Sequence, residues 1–141
     1  MVDSAPAPRN GVLPPRQPRV AVVGHCASGK TTLVGALRER GYDAFAVAQE
    51  HSGVPALWRH AAPDVLIYLD VPLGIVRERR GETWPRVVYD AQEMRLADAR
   101  AHADLVLDSG RESASQVVAH AISFLQTTGC MNEDGLYSEG A

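Results

Sequence analysis

A short loop near the start of the sequence constrains its fold more than any other feature. Residues 24–31, GHCASGKT, match the pattern G-x-x-x-x-G-K-[ST] at every fixed position. Four apolar residues, Val20 to Val23, precede the loop and predict a buried strand, and the sequence from Lys30 onward predicts a helix. A strand, this loop and a helix in that order are typical of a phosphate-binding loop.

The fixed residues of the loop are those that phosphate binding requires. Gly24 and Gly29 allow the backbone to approach a phosphate, and the N–H groups of the loop and of the following helix would point at the same anion. Lys30 would add a positive charge beside the β- and γ-phosphates, and the Thr31 hydroxyl is a ligand for Mg²⁺. His25 and Cys26 occupy variable positions of the pattern, and we assign them no chemistry of their own. The predicted nucleotide-binding residues are Gly24, His25, Cys26, Ala27, Ser28, Gly29, Lys30, Thr31 and Thr32.

The composition limits the classes of partner. The 141 residues fit one domain, and an apolar fraction of 45% supports a core. A net charge of −3 argues against nucleic acid, and the sequence has no run of about 18 apolar residues that would cross a membrane. Cys26 and Cys130 form neither a disulfide framework nor a metal-binding spacing, and the first residues lack the apolar core of a signal peptide. We therefore expect a cytoplasmic protein.

Strand and helix patterns alternate four times along the sequence, which predicts an α/β, three-layer α-β-α sandwich with a mainly parallel sheet of about four strands. The domain is predicted to span residues 19–127, between a disordered Pro-rich N-terminal tail, residues 1–18, and a flexible C-terminal tail, residues 128–141. The elements predicted after the first strand are a helix over 29–40, a strand over 42–49, a short helix over 55–60, a strand over 65–69, a helix opened by Pro72, a helix over 86–102, a strand over 104–108, and a helix that begins at the capping box of residues 113–116.

Two acidic residues are predicted to lie beside the loop, because ligands of such sheets bind beyond the C-terminal ends of the strands. Asp70 ends the most apolar strand, where it is a candidate Mg²⁺ ligand together with Thr31. Its alternative role is to cap the helix that Pro72 opens. Glu50 follows the second strand, where it is a candidate general base or orients a water of Mg²⁺. The alternative for Glu50 is a solvated residue of a polar turn over residues 50–53.

Three arginines follow the strand that ends at Asp70. Arg77, Arg79 and Arg80 lie within four residues, at the ligand side of the predicted sheet. An arginine lid there would stabilise charge on a transferred phosphoryl group, and Arg77 and Arg80 are the better pair because they share a helical face. The alternative is a solvated helix end, where arginines interact favourably with the helix dipole.

Two segments, GHCASGKTTL and PDVLIYLDVPLGIVRERRG, resemble the small P-loop kinases. This group of P-loop NTPases includes thymidylate kinase and, more distantly, shikimate, adenylate and dephospho-coenzyme A kinases. The resemblance spans residues 19–125 and implies the P-loop NTPase fold, with Mg-ATP bound at Gly24–Thr32. It also implies that Arg77 and Arg80 lie near the phosphates and Glu50 near the acceptor. The sequence departs from the group in the short link between its second and third strands, which leaves little room for the acceptor-binding insertion that these kinases usually contain.

These features favour an ATP-dependent phosphotransferase that acts with Mg²⁺ on a small acceptor that the sequence does not identify. The predicted catalytic residues are Lys30, Arg77 and Arg80, which would neutralise charge, and Glu50, which would position the acceptor hydroxyl. The short link favours the alternative of a nucleotide-binding sensor or partner-binding subunit without turnover. A GTPase fits less well, because residues 70–73, DVPL, lack the glycine of D-x-x-G and no N-K-x-D occurs. The sequence leaves a homodimer open.

Overall fold

A parallel sheet of four strands organises residues 18–128, which are the residues that the computed structural model describes. In chain order the strands are β1 (Arg19–Gly24), β2 (Asp43–Ala46), β3 (Val65–Asp70) and β4 (Leu105–Asp108), and their order across the sheet is β2-β1-β3-β4. Gly24 is level with Leu69, and Asp70 is level with Asp108. The C-terminal ends of β1, β3 and β4 therefore lie side by side at one edge of the sheet, as predicted.

Helices cover both faces of this sheet. The four α-helices are α1 (Lys30–Glu39), α2 (Leu73–Arg80), α3 (Arg86–His102) and α4 (Ala114–Thr127), and two 3₁₀ helices, Gln49–His51 and Leu57–Ala61, connect β2 to β3. One apolar cluster joins α1 and α4 to one sheet face, and a second joins α3 and the second 3₁₀ helix to the other. The central strands β1 and β3 are almost wholly buried, as their continuous apolar runs predict. The predicted α/β class with a parallel sheet is confirmed, and the layers are compatible with a three-layer sandwich.

Local signals in the sequence predicted several boundaries well. Helix α3 has the predicted bounds, and β3 ends at Asp70. The capping box is present: the Ser113 hydroxyl accepts a hydrogen bond from Gln116 N at 3.2 Å, and Gln116 Oε1 accepts one from Ser113 N at 2.8 Å. These features depend on contacts between residues that are close in the chain, which a sequence pattern records directly.

The predicted end of the second strand and the polar turn predicted after it were wrong. The second strand ends at Ala46, and the predicted polar turn is instead a 3₁₀ helix whose Gln49 and Glu50 are buried. The Gln49 side chain accepts a hydrogen bond from Trp58 N at 3.0 Å and donates one to Val54 O at 2.9 Å. Because the amide satisfies these backbone groups, the link folds inward against the sheet rather than extending the strand. The helix predicted over 55–60 is the second 3₁₀ helix.

The sequence of α3 predicts a loose apolar side that consists of Val88, Ala91, Met94 and Leu96, and this prediction was wrong in part. Val88 is exposed and Met94 is 80% exposed, whereas Leu96 is buried as predicted. The helix packs through a different stripe at helical spacing, which includes one polar residue and consists of Tyr89, Gln92, Leu96 and Ala99. The reason is that the polar Gln92 faces the loop that follows β1, as described below.

The predicted tails lie almost entirely outside the described residues. Within residues 18–128, none of the helices combines the length and the apolar character that a membrane crossing requires.

Two alanines with left-handed backbone conformation flank the second 3₁₀ helix, and we expect them to lower the stability of the fold. Ala56 has a φ of 54° and Ala62 a φ of 50°. A side chain with a Cβ disfavours this region by about 1–2 kcal/mol, and Ala62 is exposed, so its methyl group contributes little packing. We expect Ala62→Gly to raise the free energy of unfolding in urea by about 0.5–1 kcal/mol.

The matched control is Ala119→Gly, at an exposed position inside α4, which should lower the free energy of unfolding by about the same amount. Equal destabilisation by both substitutions would contradict the assigned backbone conformation of Ala62.

Candidate functional site

The loop between β1 and α1 has a backbone that depends on two glycines for different reasons. A Cβ on Gly24 would lie 2.7 Å from Leu69 O and 2.7 Å from Ser28 Oγ, so β3 packs directly against this position. Gly29 has a φ of 96°, and Ala27 also has a positive φ, of 66°. The two left-handed residues turn the loop back onto the start of α1, in the manner of anion-binding backbone nests.

The start of α1 presents backbone donors that the helix itself does not use. The first hydrogen bond of the helix runs from Leu33 N to Gly29 O at 3.1 Å, and no side chain caps this end. The N–H groups of residues 29–32 therefore lack intrahelical acceptors. Thr31 and Thr32 are exposed on the same first turn. Free N–H donors at the positive end of a helix dipole form a favourable site for an anion.

The Lys30 ammonium lies against the loop and pairs with Glu50. Its Nζ donates to Gly24 O at 2.9 Å and to His25 O at 3.2 Å, and lies 2.8 Å from Glu50 Oε2. The Lys30 side chain is 13% exposed and that of Glu50 is 4% exposed, so the pair is largely removed from water. The interpretation of Glu50 as a solvated turn residue is wrong, because the 3₁₀ helix turns its carboxylate under the loop. Its role as a general base stays a prediction.

His25 and Cys26, the variable residues of the loop, attach it to α3. The His25 ring stacks on the Tyr89 ring, with centroids 4.1 Å apart and planes 6° from parallel. Gln92 Oε1 accepts a hydrogen bond from Cys26 N at 3.2 Å and lies 3.3 Å from His25 Nδ1. All four side chains are buried. Tyr89 and Gln92 were not predicted as site residues, although their helical spacing with Leu96 indicates that they share one face of α3.

Asp70 is held by α3 rather than by the helix that it precedes. Arg100 Nη1 lies 2.9 Å from Asp70 Oδ1, and Arg100 Nη2 donates to Oδ2 at 3.2 Å. Helix α2 begins after Pro72 without a side-chain cap, so the interpretation of Asp70 as a helix cap is wrong. Its role as a Mg²⁺ ligand with Thr31 stays a prediction.

The pKa values around Asp70 reflect burial and charge pairing. The hydrogen bonds to Asp70 raise the pKa of Arg100 further above its usual value. The guanidinium carbon of Arg100 lies 5.2 Å from the centre of the Tyr68 ring. Burial, followed by the negative charge of Glu93, raises the pKa of Tyr68 to about 12, and the same two causes raise the pKa of Tyr89. Both phenols therefore remain protonated at neutral pH, and that of Tyr89 donates a hydrogen bond to Val71 O at 2.7 Å.

Among the three arginines of α2, Arg79 is the one that contacts the loop. Its Nη1 donates to Ala27 O and its Nη2 to Ser109 O, each at 2.6 Å. Arg77 donates instead to Trp84 O at 3.0 Å, and the guanidinium carbon of Arg80 lies 5.8 Å from the Trp84 ring centre. Arg77 and Arg80 thus both contact Trp84, and their role near the phosphates stays a prediction. The link after α2 folds back, and Trp84 occupies the side of α2 that these two arginines face.

A cavity of about 320 Å³ adjoins the loop on the side of α4. Its apolar wall includes Leu33, Val117 and Val118, and its polar groups include Arg79 and Glu112. Arg79 thus borders both the loop and the cavity. Apolar walls with a few polar groups are typical of sites for small organic ligands.

The sequence matches no model of a known protein family and no curated protein. The resemblance to the small P-loop kinases therefore remains an expectation, and the geometry of the loop and its neighbours is the basis for the functional proposal.

The pairing of Lys30 with Glu50 generates a prediction about stability. We expect a double-mutant cycle of Lys30→Met and Glu50→Gln, measured by urea unfolding, to give a coupling energy of about 1–3 kcal/mol, because both groups are largely buried and share a short hydrogen bond.

The control cycle uses Arg86→Ala and Asp90→Ala, an exposed pair at 3.9 Å on α3, which should couple by less than about 0.5 kcal/mol. Equal coupling in the two cycles would show that Lys30 and Glu50 interact no more strongly than surface charges.

Proposed function

We propose that the protein is a P-loop NTPase that binds ATP with Mg²⁺ and transfers a phosphoryl group to a small acceptor. The supporting observation is that one loop combines the Lys30 ammonium with the unused N–H groups at the start of α1. A phosphate chain requires both a fixed positive charge and several convergent backbone donors. The full sequence motif at the same residues supports this combination further.

The neighbouring cavity supports an organic nucleotide rather than inorganic phosphate. Its apolar wall, with Leu33, Val117 and Val118, begins where the loop ends, so a molecule with phosphates on the loop would extend its base along this wall. Arg79 borders both parts, and we propose that it takes the phosphate-contacting role predicted for Arg77 and Arg80. It would exchange its two backbone acceptors for phosphate oxygens, which are stronger partners because they are charged.

In this proposal the Lys30 ammonium leaves the Glu50 carboxylate and binds the β- and γ-phosphates instead. Glu50 is then free of its cation, close to the γ-phosphate, and able to accept the proton of an acceptor hydroxyl. ATP supplies the phosphoryl group, and Mg²⁺ neutralises charge on its oxygens. The Thr31 hydroxyl fits Mg²⁺ as a direct ligand, whereas Asp70, with both oxygens on Arg100, would act on it through water.

A nucleotide-binding sensor without turnover is the second candidate, and the link between β2 and β3 favours it. Gln49 and Trp58 are buried in this link, and Trp58 Nε1 donates to Asp98 Oδ2 at 2.9 Å. The link therefore packs against itself and against α3. In the small P-loop kinases, an acceptor-binding insertion is expected at this position. A small acceptor or none is consistent with this packing.

Binding of Mg-ATP, measured by isothermal titration calorimetry, tests the proposal. We expect Lys30→Ala to weaken affinity by at least about tenfold, because hydrogen bonds to charged groups contribute roughly 1.5–3 kcal/mol. Arg79→Ala should weaken it by about tenfold for the same reason. Arg86→Ala removes an exposed arginine far along the chain from the loop and should leave affinity unchanged. The absence of binding by the wild-type protein, or equal affinity in the Lys30→Ala variant, would contradict the proposal.

Turnover separates the two candidates. Release of ADP in the presence of a panel of small hydroxyl, carboxylate and phosphate acceptors is expected for the wild-type protein. Glu50→Gln should abolish that release while ATP binding is retained, because the amide cannot accept the acceptor proton. ATP binding without ADP release across the panel would favour the sensor.

A further inference from the structure

We propose that Cys26, Glu50 and His51 form a binding site for a zinc ion, which lies beside the proposed nucleotide site and shares Cys26 and Glu50 with it. Cys26 Sγ lies 3.4 Å from His51 Nε2, and His51 Nε2 lies 3.5 Å from Glu50 Oε2. The three potential ligand atoms all lie within 4.8 Å of one another. Cys26 belongs to the loop and the other two residues to the first 3₁₀ helix, so the site joins two segments that are distant in sequence.

The spacing of these atoms suits a tetrahedral zinc site. Zinc lies about 2.3 Å from sulfur and about 2.0–2.2 Å from nitrogen or oxygen, so its tetrahedral ligands are about 3.3–3.6 Å from one another. The distance from His51 Nε2 to Cys26 Sγ is already within this range, and a carboxylate oxygen of Glu50 lies within 4.8 Å of the ligand atoms of both residues.

Glu50 provides a second, independent observation. Its Oε1 atom is buried and has no hydrogen-bond partner within residues 18–128. Leaving a buried carboxylate oxygen without a partner is unfavourable, and a bound cation would compensate for it. Lys30 contacts the other oxygen, Oε2, so the ammonium and a metal ion are able to use different oxygens of the same carboxylate.

The chemistry of the three ligands selects the metal. A thiolate, an imidazole and a carboxylate together are typical of zinc, whereas Mg²⁺ and Ca²⁺ prefer oxygen ligands alone. The supporting groups are also present: Gln92 Nε2 donates to Cys26 Sγ at 3.3 Å, and Arg95 Nη1 donates to Glu50 O at 3.2 Å. Such outer contacts orient metal ligands. Three protein ligands leave a fourth position, and the exposed side of His51 gives an ion access to it.

Titration of Zn²⁺ by calorimetry, without nucleotide, tests this site. The Cys130→Ser variant is the reference protein, because it leaves Cys26 as the only thiol of the sequence. We expect one zinc ion per chain. In this background, Cys26→Ser and His51→Gln should each weaken binding at least tenfold, since the loss of even an outer contact costs about 10- to 100-fold. The exposed His60→Gln is the matched control and should bind as the reference does.

Co²⁺ gives a spectroscopic check of the ligands. Bound Co²⁺ should show a thiolate-to-metal charge-transfer band that is absent in Cys26→Ser. His51→Gln changes an exposed residue, so it tests the site even if Cys26→Ser impairs folding. Absence of zinc binding by the reference protein, equal affinity in the His51→Gln and His60→Gln variants, or a Co²⁺ spectrum without the thiolate band would each overturn the proposal.

Lys30→Ala distinguishes the zinc site from the proposed nucleotide site. This substitution removes the cation that shares Glu50, so zinc binding should be retained while ATP affinity falls at least about tenfold. Loss of zinc binding in this variant would show that zinc binding depends on Lys30, against the proposal.

Discussion

The buried Lys30 ammonium is the group on which the geometry of the site depends. A charge that is removed from water requires compensation, and Lys30 obtains it from two loop carbonyls and the Glu50 carboxylate. The bond to Glu50 holds the first 3₁₀ helix against the loop. The same arrangement keeps a positive charge beside the free N–H groups of α1, where an anion would replace Glu50 as its partner.

Contacts from three other directions fix the loop around this group. Gly24 packs against β3, the ring of His25 stacks on α3, and Arg79 of α2 donates to the Ala27 carbonyl. A loop that is held in this way loses little conformational entropy when it binds a ligand, which improves affinity. The contacts of Arg79 are the ones that we expect to change on binding, because its partners are backbone carbonyls that a phosphate group would replace. The loop is therefore largely preformed, with one arginine that is able to change partners.

The sequence predicted the features that depend on neighbouring residues and missed those that depend on distant ones. The loop motif, the end of β3 and the capping box at Ser113 arise from local patterns, and the structure contains the strand, the helix and the cap that they predict. The contacts of Arg79 with Ala27 and of Asp70 with Arg100 join residues that are far apart in the chain. Helical spacing alone did not show which arginine of α2 faces the loop, because the answer depends on where Trp84 packs.

The polar residues of the core illustrate the same limit. Gln49 and Gln92 are buried because each satisfies backbone or side-chain groups of another segment, and a pattern based on hydrophobicity assigns such residues to the surface. Cys26 and His51 likewise show no metal-binding spacing in the sequence, yet folding brings Cys26 Sγ to 3.4 Å from His51 Nε2.

The measurement that tests the central claim most directly is a titration of the isotope-labelled protein with Mg-ATP, in which the NMR signals of the backbone amides are recorded. We predict that the largest shifts occur at Gly24–Thr32, Arg79 and Ser109. No shifts at saturating Mg-ATP, or shifts confined to residues outside the loop and its adjoining cavity, would contradict a nucleotide site at this loop.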